Sequence, residues 1–337
     1  MAVALWGCRL SVAGHADYLG REQTGAIKGI FAVIILFAHM RDHLGLESYP
    51  FLYQKATGGM GQLMVVMFLF YSGYGIMEAL RRNRSEYSAT FLRRRLLRTW
   101  LMFATAVVLF MGLNLLLGRH YSLADNLLAL TGWTSVGNSN WFMFVIMALY
   151  ALTYAGLCAA NRLNLSLGRL AATVFALSLV LLFALVFAGK HSCWYDTIPA
   201  YAAGMFYSLC KPRIEALLRG RNWLYATALL GVVFAATYWI SGNGARPGAW
   251  RMAVHIVSTS VFAVLVVLLT MKVKLRNRAL ARLGVNAFAI YILQRLAMIT
   301  FEQFGLNREP LLFAAAVIPT TFLIAAIYTA AFKRLRL

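Results

Sequence analysis

The stretch Phe31–His43, FAVIILFAHMRDH, places a histidine at the end of an apolar run. Eight apolar residues lead into His39, and Arg41, Asp42 and His43 follow within four positions. An apolar run of this kind is typical of a membrane-spanning helix. An ionisable side chain inside a bilayer costs about 2.5–3.5 kcal/mol on insertion scales, so such residues are functional candidates by default. His39 is therefore the first candidate for a catalytic role.

The composition of the whole chain agrees with this interpretation. The 337 residues are 61% hydrophobic and 13% charged, whereas a soluble domain is roughly 45–50% apolar and about 25% charged. The sequence therefore predicts an integral membrane protein. The net charge of +21 is explained by cytoplasmic loops rich in Arg and Lys, and we predict no nucleic-acid partner.

Ten windows are long and apolar enough, or nearly so, to cross a bilayer, which takes roughly 20 mostly apolar residues. The fold class predicted is an all-α integral membrane protein with about ten transmembrane helices. The sixth window has the weakest signal because it carries Asp196 and Pro199, and it is a candidate for a re-entrant or broken segment. The windows are 24–42, 62–80, 99–117, 141–160, 170–188, 194–210, 223–240, 252–271, 283–302 and 311–332.

The distribution of basic residues orients these helices. With residues 81–98 on the cytoplasmic side, the loops of that side hold 21 Lys and Arg residues against seven in the opposite loops. Cytoplasmic loops of membrane proteins carry such an excess. We expect both termini in the cytoplasm, a first helix that acts as a signal anchor, and a multi-pass location in a cytoplasmic membrane. Residues 1–23 are predicted to form a short N-terminal cytoplasmic segment, and residues 24–337 a single polytopic domain.

Lys28 and His39 stand eleven positions apart on the first predicted helix, which corresponds to roughly 16 Å along its axis. In the predicted topology Lys28 lies at the cytoplasmic end and His39 lies toward the outer leaflet. Other polar residues are predicted at a similar or greater height. They indicate a polar cavity in the outer half or, alternatively, side chains that reach headgroups and water from helix ends. These residues are Asp196, His255, Gln294, Arg295 and Glu302.

Two further features have a structural and a functional interpretation. His39 and His43 are four residues apart and share a helix face, as two metal ligands do. A third ligand at a convincing spacing does not accompany them in the sequence, so we predict no metal site. The arginine-rich run at 93–98 either serves topology and binds anionic headgroups of membrane lipid, or forms a dedicated phosphate site.

Four stretches together resemble bacterial acyltransferase family three, membrane enzymes that O-acylate surface polysaccharides and related acceptors. The first has a basic residue eleven positions before a histidine, and the second is a Phe-rich helix that ends in Ser-Gly-Tyr. The third has an arginine pair with another arginine shortly after it, and the fourth is similar to a late helix that carries Tyr-Leu-Leu-His. The stretches are GAIKGIFAVIILFAH at 25–39, MFLFYSGYGIM at 67–77, FLRRRLLRTW at 91–100 and LGVNAFAIYILQ at 283–294.

This resemblance implies an acyl-CoA-dependent O-acyltransferase. It implies that an acyl group, expected to be acetyl, moves from cytoplasmic acyl-CoA (acetyl-CoA) as co-substrate to a hydroxyl of an extracytoplasmic acceptor, expected to be a cell-surface glycan. His39 is expected to act as the general base on that hydroxyl, and a transient acyl-histidine is the alternative. Basic residues are expected to bind the phosphates of the donor, namely Lys28, Arg94, Arg95 and Arg98.

Other residues are candidates for supporting or acceptor contacts. Two carboxylates on the outer side could orient His39, and two hydrogen-bond donors could stabilise the oxyanion of the reaction. The carboxylates are Asp42 and Asp196, and the donors are Ser72 and Asn140. The remaining candidates are Tyr74, Trp141, Tyr291, Gln294 and Arg295.

The chain departs from the family pattern at two of these positions. Lys28 stands where the family usually has Arg and lacks its bidentate geometry, and Gln294 stands where the family usually has a titratable His. The competing interpretation is a transporter or a lipid or glycolipid flippase, because ten helices with buried charges suit that class too. Against it, the two halves of the sequence do not repeat a pair of Gly- or Pro-broken helices. A non-catalytic membrane scaffold is the third alternative.

Overall fold

The computed structural model of the protein describes residues 8–11, 14–45, 51–244 and 248–334, and within them the side chains of all but 51–59 and 243–244. Residues 1–7, 12 and 13 of the predicted N-terminal segment lie outside the described part. The prediction of an all-α multi-pass membrane protein is confirmed. Nine helical spans in the described part are long and apolar enough to cross a membrane.

Twelve α-helices in the described residues make up nearly all of the fold. They are α1 Arg21–Met40, α2 Phe51–Arg82, α3 Arg84–Phe91, α4 Arg98–Leu116, α5 Leu123–Ala129, α6 Trp141–Arg162, α7 Leu167–Phe187, α8 Pro199–Leu217, α9 Asn222–Trp239, α10 Ala249–Lys272, α11 Arg278–Gln303 and α12 Pro310–Arg334. Short 3₁₀ segments lie at Arg41–His43, Ser192–Trp194 and Leu306–Arg308, and π-helical segments at Leu92–Leu97 and Ile240–Gly244. Strands β1 Cys8–Leu10 and β2 Val273–Leu275 pair antiparallel.

The sixth predicted window forms α8, a continuous helix of 19 residues. It begins at Pro199, a favoured first helical residue because its missing N–H would lack an intrahelical partner there anyway. The helix is not one of the nine apolar spans because its last two turns carry Lys211, Arg213 and Glu215. With α8 the long helices correspond one to one to the ten predicted windows.

Residues 81–98, predicted to be a loop, are helical almost throughout. Asn83 caps α3, since its side-chain oxygen accepts the backbone N–H of Glu86 at 3.2 Å, which is a strong helix-start signal. The arginine-rich run that follows is the π-helical segment Leu92–Leu97. The many charged side chains of residues 81–98 explain why a search for apolar windows misses these helical residues.

Glycines let two pairs of helices approach closely, as small residues do in membrane proteins. A Cβ on Gly29 of α1 would lie 2.1 Å from the carbonyl oxygen of Leu280 on α11. A Cβ on Gly284 of α11 would lie 1.8 Å from the carbonyl oxygen of Gly25 on α1. A Cβ on Gly73 of α2 would likewise lie 1.9 Å from the carbonyl oxygen of Tyr201 on α8. These contacts leave room for no larger residue at either crossing.

Helices α1 and α11 run in the same direction and stay in contact along their length. Gly29 meets α11 next to Gly284, and ten residues further along each helix His39 meets Gln294. Below, the end of the bundle that carries Arg82, Arg94 and Arg95 is called the arginine end, and the end that carries His39 is called the histidine end. The helix crossing therefore fixes the register of the residues at both ends.

Candidate functional site

A cavity of about 1130 Å³ opens at the arginine end and runs between α1, α2, α6 and α11. Its mouth is lined by charged side chains and its inner part by apolar ones, among them Ile35, Phe68 and Ile146. Phe142 and Tyr291 belong to the lining from α6 and α11, and their rings lie edge to face with centroids 5.3 Å apart. The cavity therefore joins a polar entrance to an aromatic inner end.

Positive charge predominates at the entrance. The cations there are Arg21, Lys28, Arg82, Arg94, Arg95 and Lys211, and the carboxylates are Asp17, Glu78 and Glu86. Two of these carboxylates are already engaged, because Glu78 pairs with Arg81 at 2.9 Å and Glu86 accepts from the Asn83 amide at 3.1 Å. The entrance is thus suited to an anionic group.

The structure brings three of the four predicted donor-binding residues to this cavity. The Lys28 ammonium lies 5.7 Å from the centre of the Tyr71 ring, and Arg95 Nε donates to the Tyr87 hydroxyl at 2.9 Å. Arg94 lines the cavity beside it. Arg98, the fourth, is not among the described residues that line the cavity. Arg94 and Arg95 lie in the π-helical segment Leu92–Leu97, and π segments in helices occur frequently at functional sites.

His39 lies one helical turn beyond Ile35, behind the inner end of the cavity. Its ring centroid is 6.0 Å from that of Tyr291. The side-chain amide of Gln294 is 2.7 Å from His39 Nδ1, and the Ser139 hydroxyl is 3.4 Å from the same nitrogen. Gln294 is fully buried, whereas His39 is half-buried.

Two polar side chains contact the same ring nitrogen of His39. Gln294 and Ser139 both face Nδ1, so the ring nitrogen left for another partner is Nε2. The Gln294 amide nitrogen also lies 3.3 Å from the carbonyl oxygen of Tyr291, one turn earlier on α11.

A loop that the sequence analysis did not single out delivers Ser139. Residues 131–140 turn at Gly132 and Gly137, whose φ angles are +80° and +104°. Buried Asn114 on α4 donates to the carbonyl oxygen of Val136 at 2.7 Å. Asn140 donates to the carbonyl oxygen of Gly132 at 3.1 Å, so its amide holds the loop. The cluster of Gly, Ser and Asn in this stretch is a turn signal that could have pointed to the loop.

Several polar residues expected to share one outer cavity instead form separate histidine–carboxylate pairs. His43 Nδ1 lies 2.8 Å from Glu302, and buried Asp196 lies 3.0 Å from His255. Asp42 is 3.4 Å from Arg41. The two carboxylates predicted to orient His39 are thus engaged elsewhere, and the side chain that orients the imidazole is Gln294.

The remaining predicted site residues lie around these groups. The Ser72 hydroxyl shares a hydrogen bond of 2.8 Å with the Tyr150 hydroxyl in the cavity wall, and Tyr74 lines the same wall. Trp141 begins α6 next to Ser139. Arg295 follows Gln294 on α11, and its Nε is buried with no hydrogen-bond partner. These positions surround the cavity and His39 on several sides.

Comparison with known proteins matches residues 25–330 to a family model described as an acyltransferase domain. No curated protein and no solved structure matches the chain. The matched range includes the cavity-lining residues of α2, α6 and α11 and those of α1 from Lys28 onward, together with His39, Ser139 and Gln294.

Proposed function

The chain belongs to acyltransferase family three, and we propose that this membrane acyltransferase takes its acyl group from acyl-CoA at the arginine end and transfers it to a hydroxyl acceptor at the histidine end. The arginine end faces the cytoplasm of a bacterium in this proposal, as the distribution of basic residues favours. The donor is acetyl-CoA and the acceptor a cell-surface glycan, in line with the family resemblance of the sequence.

The observation that carries the donor assignment is the cavity from the basic entrance to Phe142 and Tyr291. Coenzyme A has its phosphates at one end of a long arm and its thioester at the other. The cavity has the same polarity, with Lys28, Arg94 and Arg95 at one end and apolar side chains toward the other. The roughly 16 Å rise of α1 between Lys28 and His39 is the scale of such an arm.

The group-transfer step uses the lone pair on His39 Nε2, because the Gln294 side chain engages Nδ1 and can accept the Nδ1 proton through its amide oxygen. The acceptor hydroxyl gives its proton to Nε2 as its oxygen attacks the thioester carbonyl carbon. The new C–O bond forms an oxyanion, which collapses and breaks the C–S bond. The departing thiolate takes the proton from the imidazolium, so that the products are an ester, free coenzyme A and neutral His39.

Donor binding is tested by the thermal stability of the detergent-purified protein with acetyl-CoA and with longer acyl-CoA homologues. A ligand that binds only the folded state stabilises by about 2.7 kcal/mol at a hundred times its dissociation constant. We expect the wild type to shift upward and the Arg94→Ala/Arg95→Ala variant to lose the shift. The matched control is Arg93→Ala, which removes an exposed arginine from the same run and should keep the shift.

Two results would contradict the proposal. One is a wild type that is not stabilised by any acyl-CoA at millimolar concentration. The other is a wild type that binds acyl-CoA but releases no coenzyme A when supplied with envelope glycan, because a transporter moves its substrate without consuming a thioester. Arg98→Ala adds a geometric check, since Arg98 does not line the cavity and we expect this variant to bind donor within about twofold of the wild type.

A further inference from the structure

The hydroxyl of Tyr291 is buried and has no hydrogen-bond partner. The residue is 7% exposed and belongs to the inner end of the cavity. Buried hydroxyls in folded proteins are nearly always hydrogen-bonded, and one that is not calls for an explanation. A group that enters the cavity and accepts a hydrogen bond would supply the missing partner.

The same hydroxyl faces the N-terminus of α6. It lies toward the backbone N–H of Phe142 without hydrogen-bond geometry. Asn140 is the N-cap residue of α6, and no side chain caps the helix there; the Asn140 side-chain nitrogen donates to the carbonyl oxygen of Gly132. The first-turn N–H groups of a helix have no intrahelical acceptors, and that end of the helix dipole favours negative charge.

These two features meet where the proposed reaction takes place. Tyr291 and Phe142 both line the inner end of the cavity, and the Tyr291 ring is 6.0 Å from the ring of His39. The two hydrogen-bond donors considered from the sequence are engaged, Ser72 with Tyr150 and Asn140 with Gly132. The unsatisfied donors at this place are thus on Tyr291 and on the first turn of α6.

We propose that the Tyr291 hydroxyl and the first-turn N–H groups of α6, that of Phe142 foremost, form the oxyanion hole for the acyl thioester. This inference rests on the proposed function. As the acceptor oxygen bonds to the carbonyl carbon and the C=O π pair moves to oxygen, Tyr291 and α6 donate hydrogen bonds to that oxygen. They release it when the C=O bond re-forms and the thiolate leaves. No proton is lost from Tyr291 in the cycle.

The experiment compares Tyr291→Phe with the wild type for donor binding, thermal stability and steady-state turnover of acyl-CoA with a glycan acceptor. Loss of one oxyanion-hole donor typically lowers kcat by about 10²–10³, and we expect a fall of that size with the donor dissociation constant within about twofold. Thermal stability should not fall, because the change removes a hydroxyl that has no partner in the resting protein. The control, Tyr238→Phe on α9, removes a hydroxyl outside the cavity and should leave all three measurements unchanged.

The outcomes separate the inference from the proposed function. If the wild type binds and turns over acyl-CoA while Tyr291→Phe keeps kcat within about threefold, the oxyanion hole is wrong and the acyltransferase proposal stands. If Tyr291→Phe loses donor binding in parallel with activity, the residue is part of the donor site and the inference is overturned. If the wild type neither binds nor consumes acyl-CoA, both fail.

Discussion

The side-chain amide of Gln294 on α11 lies 2.7 Å from Nδ1 of His39 on α1. A neutral side chain thus orients the imidazole, where a carboxylate was expected from the sequence. Because this amide engages Nδ1, the ring nitrogen left to act as the base in the proposed reaction is Nε2.

Replacing that amide should impair catalysis without impairing donor binding. In Gln294→Leu the imidazole loses the hydrogen bond that fixes its tautomer and orientation. We expect kcat to fall by about tenfold to a hundredfold, at or below the lower limit of the 10²–10⁴ that a general base typically supplies, because His39 itself is kept. The matched variant is Gln294→His, whose ring can hydrogen-bond Nδ1 of His39 and should keep most of the activity. Steady-state kinetics with acyl-CoA and acceptor check this, and equal activities of the two variants would contradict it.

Removing the proposed base should lower kcat strongly while leaving the affinity for acyl-CoA almost unchanged. We expect His39→Ala to lower kcat by about 10²–10⁴ and to leave the acyl-CoA dissociation constant within about twofold, because His39 lies beyond the basic entrance. His43→Ala is the control on the same face, since His43 pairs with Glu302 and is not placed at the reacting atoms. A His39→Ala protein that transfers acyl groups at the wild-type rate would exclude His39 as the base.

The loop that carries Ser139 should depend on Asn114. This side chain is buried and donates to the Val136 carbonyl at 2.7 Å, so Asn114→Ala leaves a buried acceptor unpaired, at a cost of about 1–3 kcal/mol. We expect a lower unfolding temperature and reduced turnover together. The control is Asn126→Ala, which removes a side chain that hydrogen-bonds only locally at the surface. A stability equal to that of the wild type in Asn114→Ala would show that the loop is held by other contacts.

The close contact of α1 and α11 should tolerate no methyl group. In Gly29→Ala the added carbon would lie 2.1 Å from the Leu280 carbonyl oxygen, which forces the helices apart at a cost of about 1–3 kcal/mol or more. Gly25→Ala is the matched control four residues earlier on α1, since its added carbon would meet nothing within 4 Å. Thermal unfolding in detergent measures both, and we expect only Gly29→Ala to be destabilised.

The helices could be located from the sequence because a bilayer imposes a length and a polarity on each of them. Ten predicted windows correspond to ten long helices, and α8 appears despite its charged end because its buried face packs on α2 through Gly73. Hydropathy could not find the helical residues Arg84–Leu97, which are rich in charge and of which only Phe91 is buried. A hydropathy window detects apolar runs, and a helix without such a run gives no signal in it.

The sequence identified several residues of the candidate site, but it did not identify their hydrogen-bond and ion-pair partners. Lys28, Arg94 and Arg95 do line one cavity, and Gln294 does meet His39. Pairings such as Asp196 with His255 depend on which helices are neighbours, which depth alone does not determine. Ser139 was missed because a serine before a helix is a common cap, and only the turn of 131–140 brings it to His39.

Lys28 and His39 belong to one uninterrupted helix. The distance from Lys28 at the basic entrance to the His39 imidazole is therefore set by the number of helical residues between them and not by the packing of other helices. Loosening of α9, α10 or α12 leaves that span unchanged. One residue inserted between Gly29 and His39 would rotate the imidazole by about 100° and move it about 1.5 Å, out of reach of Gln294, with Lys28 and Gly29 undisturbed. The interval from Gly29 to His39 is therefore fixed to the residue, whereas a loop that carries no site residue can change in length without altering it.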